Sequence, residues 1–180
     1  TSVPTTNPTT LPSSMPTSAG PTASPTIEKC PCDIDLVFTL DSSYSIGIER
    51  FTSESIPFVH SLSRFFDLSP SKSRFGVITF SSRSSVDVSL SDPFNSSSLF
   101  DIVPDNGLTN ILSGINETLY QFVNNPAPPR RARAAILVVD GDFGLAGYTI
   151  DELTSLLNTS VTLRQSPVAT YGVIFQGPQH

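Results

Sequence analysis

Basic residues are scarce in this 180-residue chain. Two Lys and eight Arg stand against sixteen Asp and Glu, giving a net charge of −6 and a pI near 4.7. No long basic run occurs, so nucleic acid is excluded as a partner, because phosphate binding needs a basic face. Charged residues of both signs make up only 14% of the chain, against about 25% in an average soluble domain. The two cysteines, Cys30 and Cys32, are too few for a multi-disulfide mini-scaffold or, without His, for a four-ligand zinc site. Long apolar runs are also missing. The longest fully apolar stretch, Ala134 to Val139, falls far short of the ~20 residues that span a bilayer, so no transmembrane segment is expected. The chain opens on Thr1 without a charged-then-apolar leader, and the expectation is a processed or excerpted piece whose signal peptide has gone.

Charge is entirely absent from residues 1–27, where eight Thr, five Ser and six Pro fill 19 of the 27 positions. Such a segment has almost nothing apolar to bury and cannot offset its ordering entropy. It reads as a disordered Pro/Ser/Thr-rich segment, either an O-glycosylated stalk or a plain linker. Residues 28–180 carry a globular pattern and form the expected domain.

Within that domain, Asp35–Leu40 (DLVFTL) is a strand-like run ending at Asp41. A helix is expected over Ile48–Phe66, with a kink or late start at Pro57. Strands follow at Arg74–Phe80 and, half exposed, at Ser85–Leu90. A short helix is placed within Pro93–Val103, and a longer one over Ile111–Val123 that ends before Pro126, Pro128 and Pro129. Ala134–Val139 has the continuous apolar character of a strand buried on both faces and ends at Asp140. A helix at Ile150–Leu157 and a strand at Val168–Phe175 complete the pattern. No internal repeat is present. Strands alternating with helices predict a doubly wound, mostly parallel α/β sheet with helices on both faces.

In such sheets ligands bind at the carboxyl ends of the strands, near the point where strand order reverses. That rule singles out Asp41 and Asp140. Three polar loops are expected there: Asp41-Ser42-Ser43-Tyr44-Ser45, Gly107-Leu108-Thr109-Asn110, and Asp140-Gly141-Asp142. Two carboxylates and three hydroxyls are hard oxygen donors that suit Mg²⁺, Mn²⁺ or Ca²⁺ rather than Zn²⁺. The alternating spacing of Asp41, Ser43 and Ser45 lets one tight loop turn all three inward. Neutral hydroxyls would leave the ion net positive and able to accept an acidic group from a partner.

With these loops in this order, the stretch from about residue 33 to 175 resembles the von Willebrand factor A-type domain shared by integrin inserted domains, matrilins and many collagens. The runs DIDLVFTLDSSYSIG (Asp33–Gly47) and DLSPSKSRFGVITFSS (Asp67–Ser82) carry the likeness beyond the three loops. The resemblance implies a metal-ion-dependent adhesion site, with Ser43, Ser45 and Thr109 contacting the ion and Asp41 and Asp140 beside it, directly or through water. It also implies a partner protein that completes the shell with a Glu or Asp. Two positions depart from the family pattern: Ile111 stands where a second Thr or Ser is usual, and Val139 where a Thr precedes the Asp. Relative to the family, a further helix, edge strand and closing helix are expected to be missing after residue 180. In secreted relatives a Cys before the first strand often pairs with one beyond the last helix, which would occupy Cys30 or Cys32. A bridge between these two is expected to be geometrically poor, and free or intermolecular thiols are the other option.

The function expected is therefore an extracellular, secreted or surface-associated adhesion or matrix-binding module rather than an enzyme. A haloacid dehalogenase-like phosphohydrolase is the alternative, since Asp33-Ile34-Asp35-Leu36-Val37 superficially fits its Asp-x-Asp nucleophile motif. That nucleophile follows an apolar strand, whereas Asp33 and Asp35 precede one. A scaffold that has kept the fold without using metal is a further alternative. Arg130, Arg131 and Arg133 read as a solvated loop, His60 and Asp142 as surface residues, and Asn95, Asn116 and Asn158 as sequons of a secreted glycoprotein.

Overall fold

The computed structural model describes residues 28–126, 131–140, 155 and 168–175, with Asp140 and the strand at 168–175 described by backbone alone. The segment 1–27, most of the helix expected at Ile150–Leu157, and Arg130, Asp142 and Asn158 lie outside the described residues.

The described strands are β1 (Ile34–Asp41), β2 (Arg74–Phe80), β3 (Ser84–Val88), β4 (Ala132–Asp140) and β5 (Val168–Phe175). They form one sheet in the order β3-β2-β1-β4-β5. β1 runs parallel to both β2 and β4, β4 parallel to β5, and only β3 is antiparallel to its neighbour. This is the expected doubly wound sheet. From β1 the chain builds outward through β2 and β3, then returns to the other side of β1 as β4. The reversal point lies at the carboxyl ends of β1 and β4, where Asp41 and Asp140 stand.

Alternate residues of each strand feed two cores. Val37, Ile78, Phe80, Ala135, Leu137 and Val139 pack against Ile111, Ile115 and Phe122 of α3 (Ile111–Asn124). Leu36, Phe38, Leu40, Phe75, Val77, Ile136 and Val138 pack against Phe51, Ile56 and Val59 on the opposite face. β4 is buried on both faces, as its unbroken apolar run demands.

The helix on that second face is not uniform. α1 (Gly47–Arg50) passes through a π turn at Phe51–Ser55 into α2 (Ile56–Ser63). Pro57 has no N–H for the carbonyl four residues back, and the chain widens by one turn just ahead of it. The expected irregularity at Pro57 therefore takes the form of a π turn. The helix also ends three residues earlier than expected. Phe65 gives its carbonyl oxygen to the Cys30 N–H at 2.6 Å, so the chain there pairs with the N-terminal segment. His60 is half-buried, with its ring 5.3 Å from that of Phe100, and is not a simple surface histidine.

α3 buries Ile111, Gly114, Ile115, Thr118, Gln121 and Phe122, a helical stripe, and its N-cap Asn110 accepts the Ser113 N–H. Thr118 donates its hydroxyl to the Gly114 carbonyl at 2.9 Å. The Thr39 hydroxyl, 2.6 Å from that of Thr118, therefore donates to it, which ties α3 to the middle of β1.

Cys30 and Cys32 are bonded to each other, a pairing that the sequence left open. The chain through Pro31 holds their Cα atoms 5.3 Å apart, inside the usual range for a disulfide. The segment is pinned by Cys30 N–H to Phe65 and by the Ser73 hydroxyl, which donates to the Cys32 carbonyl at 2.8 Å. Arg131 and Arg133 are not in a solvated loop. They are 6% and 8% exposed and lie beneath α3, beside the buried carboxylate of Asp35.

Candidate metal centre

Asp41 closes β1 and is fully buried. The strand's apolar run draws its last residue into the sheet, and the chain must turn at once to clear β2. The Ser43 N–H bonds Asp41 Oδ1 at 2.8 Å, which folds the loop back over the carboxylate as an Asx turn. Ser42 turns the other way and donates its hydroxyl to the Phe80 carbonyl at 3.0 Å. Ser43 and Ser45 then point to the same side, with hydroxyl oxygens 3.1 Å apart. Exposure grades outward: Ser43 is 1% exposed, while Ser45 and Thr109 are open to solvent.

The second loop is fastened to the first through its backbone. Asn106 N–H donates to the Ser42 carbonyl at 2.8 Å, and Tyr44 N–H donates to the Gly107 carbonyl at 2.9 Å. Asn106 takes a left-handed conformation, φ 54°, which Asn tolerates better than most side chains. The end of β2 holds the loop from below. Leu108 N–H donates to the Ser82 hydroxyl at 2.9 Å, Asn110 N–H to the Ser81 carbonyl at 2.8 Å, and the Ser81 hydroxyl to a carboxylate oxygen of Asp105. Gly107 is required by this fit. A Cβ there would lie 2.5 Å from Ser82 Oγ and 3.0 Å from the Ser82 nitrogen.

The structure thus brings Asp41, Ser43 and Ser45 into one turn and docks the loop bearing Thr109 against it. The Asp140 backbone ends β4, next to β1 in the sheet and in register with Phe175 of β5. Ser81, Ser82 and Asp105 had no part in the expected site. Their signal was only a Ser-rich run after β2 and an acid ahead of Gly107, and neither marks a loop anchor by itself. Tyr44 and Leu108 stand on these two loops with about four-fifths of their surface exposed. Among the described residues no group of three or more His, Cys, Asp or Glu side chains is placed to hold a metal ion.

Asp33 and Asp35 sit at the opposite end of β1. Asp35 is fully buried and gripped by Arg74, with Nε–Oδ1 2.7 Å and Nη2–Oδ2 2.5 Å, and by Arg131 Nη1 at 3.2 Å. Asp33 faces Lys72 at 4.0 Å. Neither stands at the carboxyl end of a strand, where the alternative phosphohydrolase needs its nucleophile.

A sheet of this order and direction defines an open, doubly wound α/β domain. The chain belongs to the von Willebrand factor type A domain family, whose sequence model matches residues 35–179. Solved structures share the fold. Proximal thread matrix protein 1 from the mussel byssus superposes with a TM-score of 0.67 at 23% identity, over 82% of this chain and 39% of that one. The same mussel protein with a zinc-occupied MIDAS motif gives 0.62 at 20% identity, over 81% and 36%. BatB from Bacteroides thetaiotaomicron, a conserved hypothetical protein, gives 0.56 at 18% identity, over 77% and 66%. The chain spans about two-fifths of the length of the mussel protein. Among the described residues no helix is long and apolar enough to cross a membrane.

Proposed function

We infer that this domain is an extracellular adhesion or matrix-binding module that holds a divalent cation at the top of its sheet and docks an acidic side chain of a protein partner. The pair of Ser43 and Ser45 hydroxyls carries this reading. Ligand distances of about 2.1 Å in an octahedral Mg²⁺ shell put neighbouring oxygens roughly 3 Å apart. The two hydroxyls are hydrogen-bonded to each other at 3.1 Å, on a turn locked by Asp41, and that separation matches the spacing of two adjacent ligands. Donors of this hardness suit Mg²⁺, with Mn²⁺ or Ca²⁺ as substitutes.

Ser43, Ser45 and Thr109 would hold the ion, with Asp41 and Asp140 supplying negative charge at its side. The bound ion would supply a positive centre to which a carboxylate can attach. Asp41 also orients the Ser43 backbone, so it acts on the loop as well as on the charge. Because the hydroxyls are neutral, the partner's Glu or Asp has charge left to neutralise. No covalent bond is made or broken. A zinc-occupied MIDAS motif in a structurally similar byssus protein supports metal use and a matrix setting. The asparagines of two sequons, Asn95 and Asn116, are exposed, which glycosylation in a secreted protein requires.

Thermal unfolding of the full chain tests this reading. A ligand that binds only the native state raises the midpoint by mass action. The midpoint is expected to climb with Mg²⁺ or Mn²⁺, return to baseline in EDTA, and stay flat in Asp41→Ala. A flat wild-type response in well-folded protein would leave the fold as a scaffold that does not use metal.

Gly107→Ala probes the second loop separately. The added Cβ must push the loop off Ser82, displacing Thr109 while leaving both cores intact. Ion affinity is expected to fall about 10–100-fold, the usual effect of disturbing the support of a metal site. The metal-free midpoint should barely move. Unchanged affinity by calorimetric titration would remove the second loop from the site.

A further inference from the structure

The opposite end of the sheet gathers cations in a chain that is acidic as a whole. Asp35, Arg74, Arg131 and Arg133 lie on the α3 side, at the amino ends of β1, β2 and β4, under the carboxyl end of α3. Arg74 is satisfied by Asp35 and by the Asn125 carbonyl at 3.0 Å. Arg131 spends its two terminal nitrogens on Asp35 and on the Pro70 carbonyl at 3.2 Å. Arg133 has no hydrogen-bond partner among the described residues. Its guanidinium carbon lies over the Phe122 ring, 6.0 Å from the ring centre. The Nε atoms of both Arg131 and Arg133 are buried without a partner.

Two guanidinium groups thus hold one carboxylate, and a third feels its charge without a hydrogen bond to it. The carboxyl end of α3 adds only a partial negative charge. The nearby Asp33 is occupied by Lys72. The sequence offers no acid to close the gap from the adjoining segment, since 127–130 reads Ala-Pro-Pro-Arg and 1–27 has no charge at all. Buried polar groups are nearly always paired, and unpaired buried charge is costly. Burial accordingly pulls the Arg133 pKa below its usual value, Asp35 pushes it back up, and Arg74 pulls it further down.

We propose that the base of the sheet is an anion site, in which Arg133, backed by Arg131 and Arg74, takes a carboxylate. Guanidinium edges match carboxylates bidentately, and a charge-assisted pair of this kind satisfies donors that are otherwise stranded. The site is separate from the loops at the top of the sheet and needs no metal.

The test is thermal unfolding of the full chain in EDTA, at constant sodium concentration with chloride as the balancing anion. Acetate supplies a free carboxylate, and a hexaglutamate peptide supplies a protein-borne one. The expected result is a saturating rise of the midpoint with at least one of them, retained in Arg83→Met on the exposed β2–β3 turn and lost in Arg133→Met. A response to the peptide alone identifies a macromolecular partner, and a response to acetate a site open to small carboxylates. No rise with either ligand, or the same rise in Arg133→Met, would overturn the proposal. If Arg133→Met fails to fold, Arg133→Lys keeps the charge and removes the planar fork. Its carboxylate affinity is expected to be at least tenfold weaker, and an affinity equal to wild type would overturn the proposal.

Discussion

Replacing Asp35 by Asn is expected to cost about 3–5 kcal/mol, the usual penalty for removing one partner of a buried ion pair. The side chain keeps its shape and loses its charge, leaving Arg74, Arg131 and Arg133 around a neutral amide. Arg74 would forfeit a bidentate carboxylate at 2.5–2.7 Å, and Arg131 its contact at 3.2 Å. In a domain of this size each kcal/mol lowers the melting midpoint by roughly 2–4 °C, so a fall of about 10 °C follows. The loss arises from stranding the guanidinium groups, since a buried pair taken as a whole adds little net stability. Arg131→Leu is accordingly expected to cost less, because Arg74 still neutralises Asp35. Urea unfolding measures both. A loss below about 1 kcal/mol in Asp35→Asn would mean that water reaches this cluster and screens it.

Gly114→Val is the second large effect. α3 lies so close to the sheet at this position that a Cβ would stand 2.8 Å from Phe80 Cδ1 and 2.9 Å from Thr39 Cγ2. Both neighbours are held, Phe80 in the core and Thr39 by its hydrogen bond to Thr118. Valine adds two further methyl groups to that gap. Overpacking of this kind costs typically 1–3 kcal/mol, and the upper end is expected here. Replacing Gly returns only part of about 1 kcal/mol through helix propensity, so Gly114→Ala should be milder but still unfavourable. The helix cannot move alone, because its N-cap Asn110 is tied through its N–H to Ser81. Gly114→Val should therefore also weaken whatever the second loop binds. Chemical denaturation that finds valine tolerated within about 0.5 kcal/mol would show that α3 rides higher than described.

The sheet was legible because its strands are chemically extreme. Leu36–Leu40 and Ala134–Val139 carry no charge and end abruptly at Asp41 and Asp140, and such runs have no stable place outside a sheet buried on both faces. α3 announced itself by its apolar stripe and by the prolines that follow it, Pro126, Pro128 and Pro129. The turn at Asp41, Ser43 and Ser45 was legible for a different reason. Its residues are two apart in sequence, so local geometry alone brings them together.

Contacts between distant segments were not legible. Nothing local says that Arg74, Arg131 and Asp35 meet, because their meeting depends on three strands starting at one end of the sheet. A triplet of basic residues after prolines looks like a solvated loop until the start of β4 brings Arg131, just ahead of it, and Arg133, within it, beside Asp35. The same holds for Ser81, Ser82 and Asp105, whose value as anchors for the second loop exists only once β2 ends beside it. The pairing of Cys30 with Cys32 was open in the sequence, because the contacts of the flanking chain with Phe65 and Ser73 are not local.

The central claim is that the Ser43–Ser45 turn holds a divalent ion, and Mn²⁺ titration read by electron paramagnetic resonance tests it without a partner or a melting transition. The free-ion signal is expected to fall with a stoichiometry of one Mn²⁺ per chain, to recover on addition of excess Mg²⁺, and to stay unchanged over the same range in a Ser43→Ala, Ser45→Ala double variant. An undiminished free-ion signal in the wild-type protein, or equal binding by the double variant, would contradict the account.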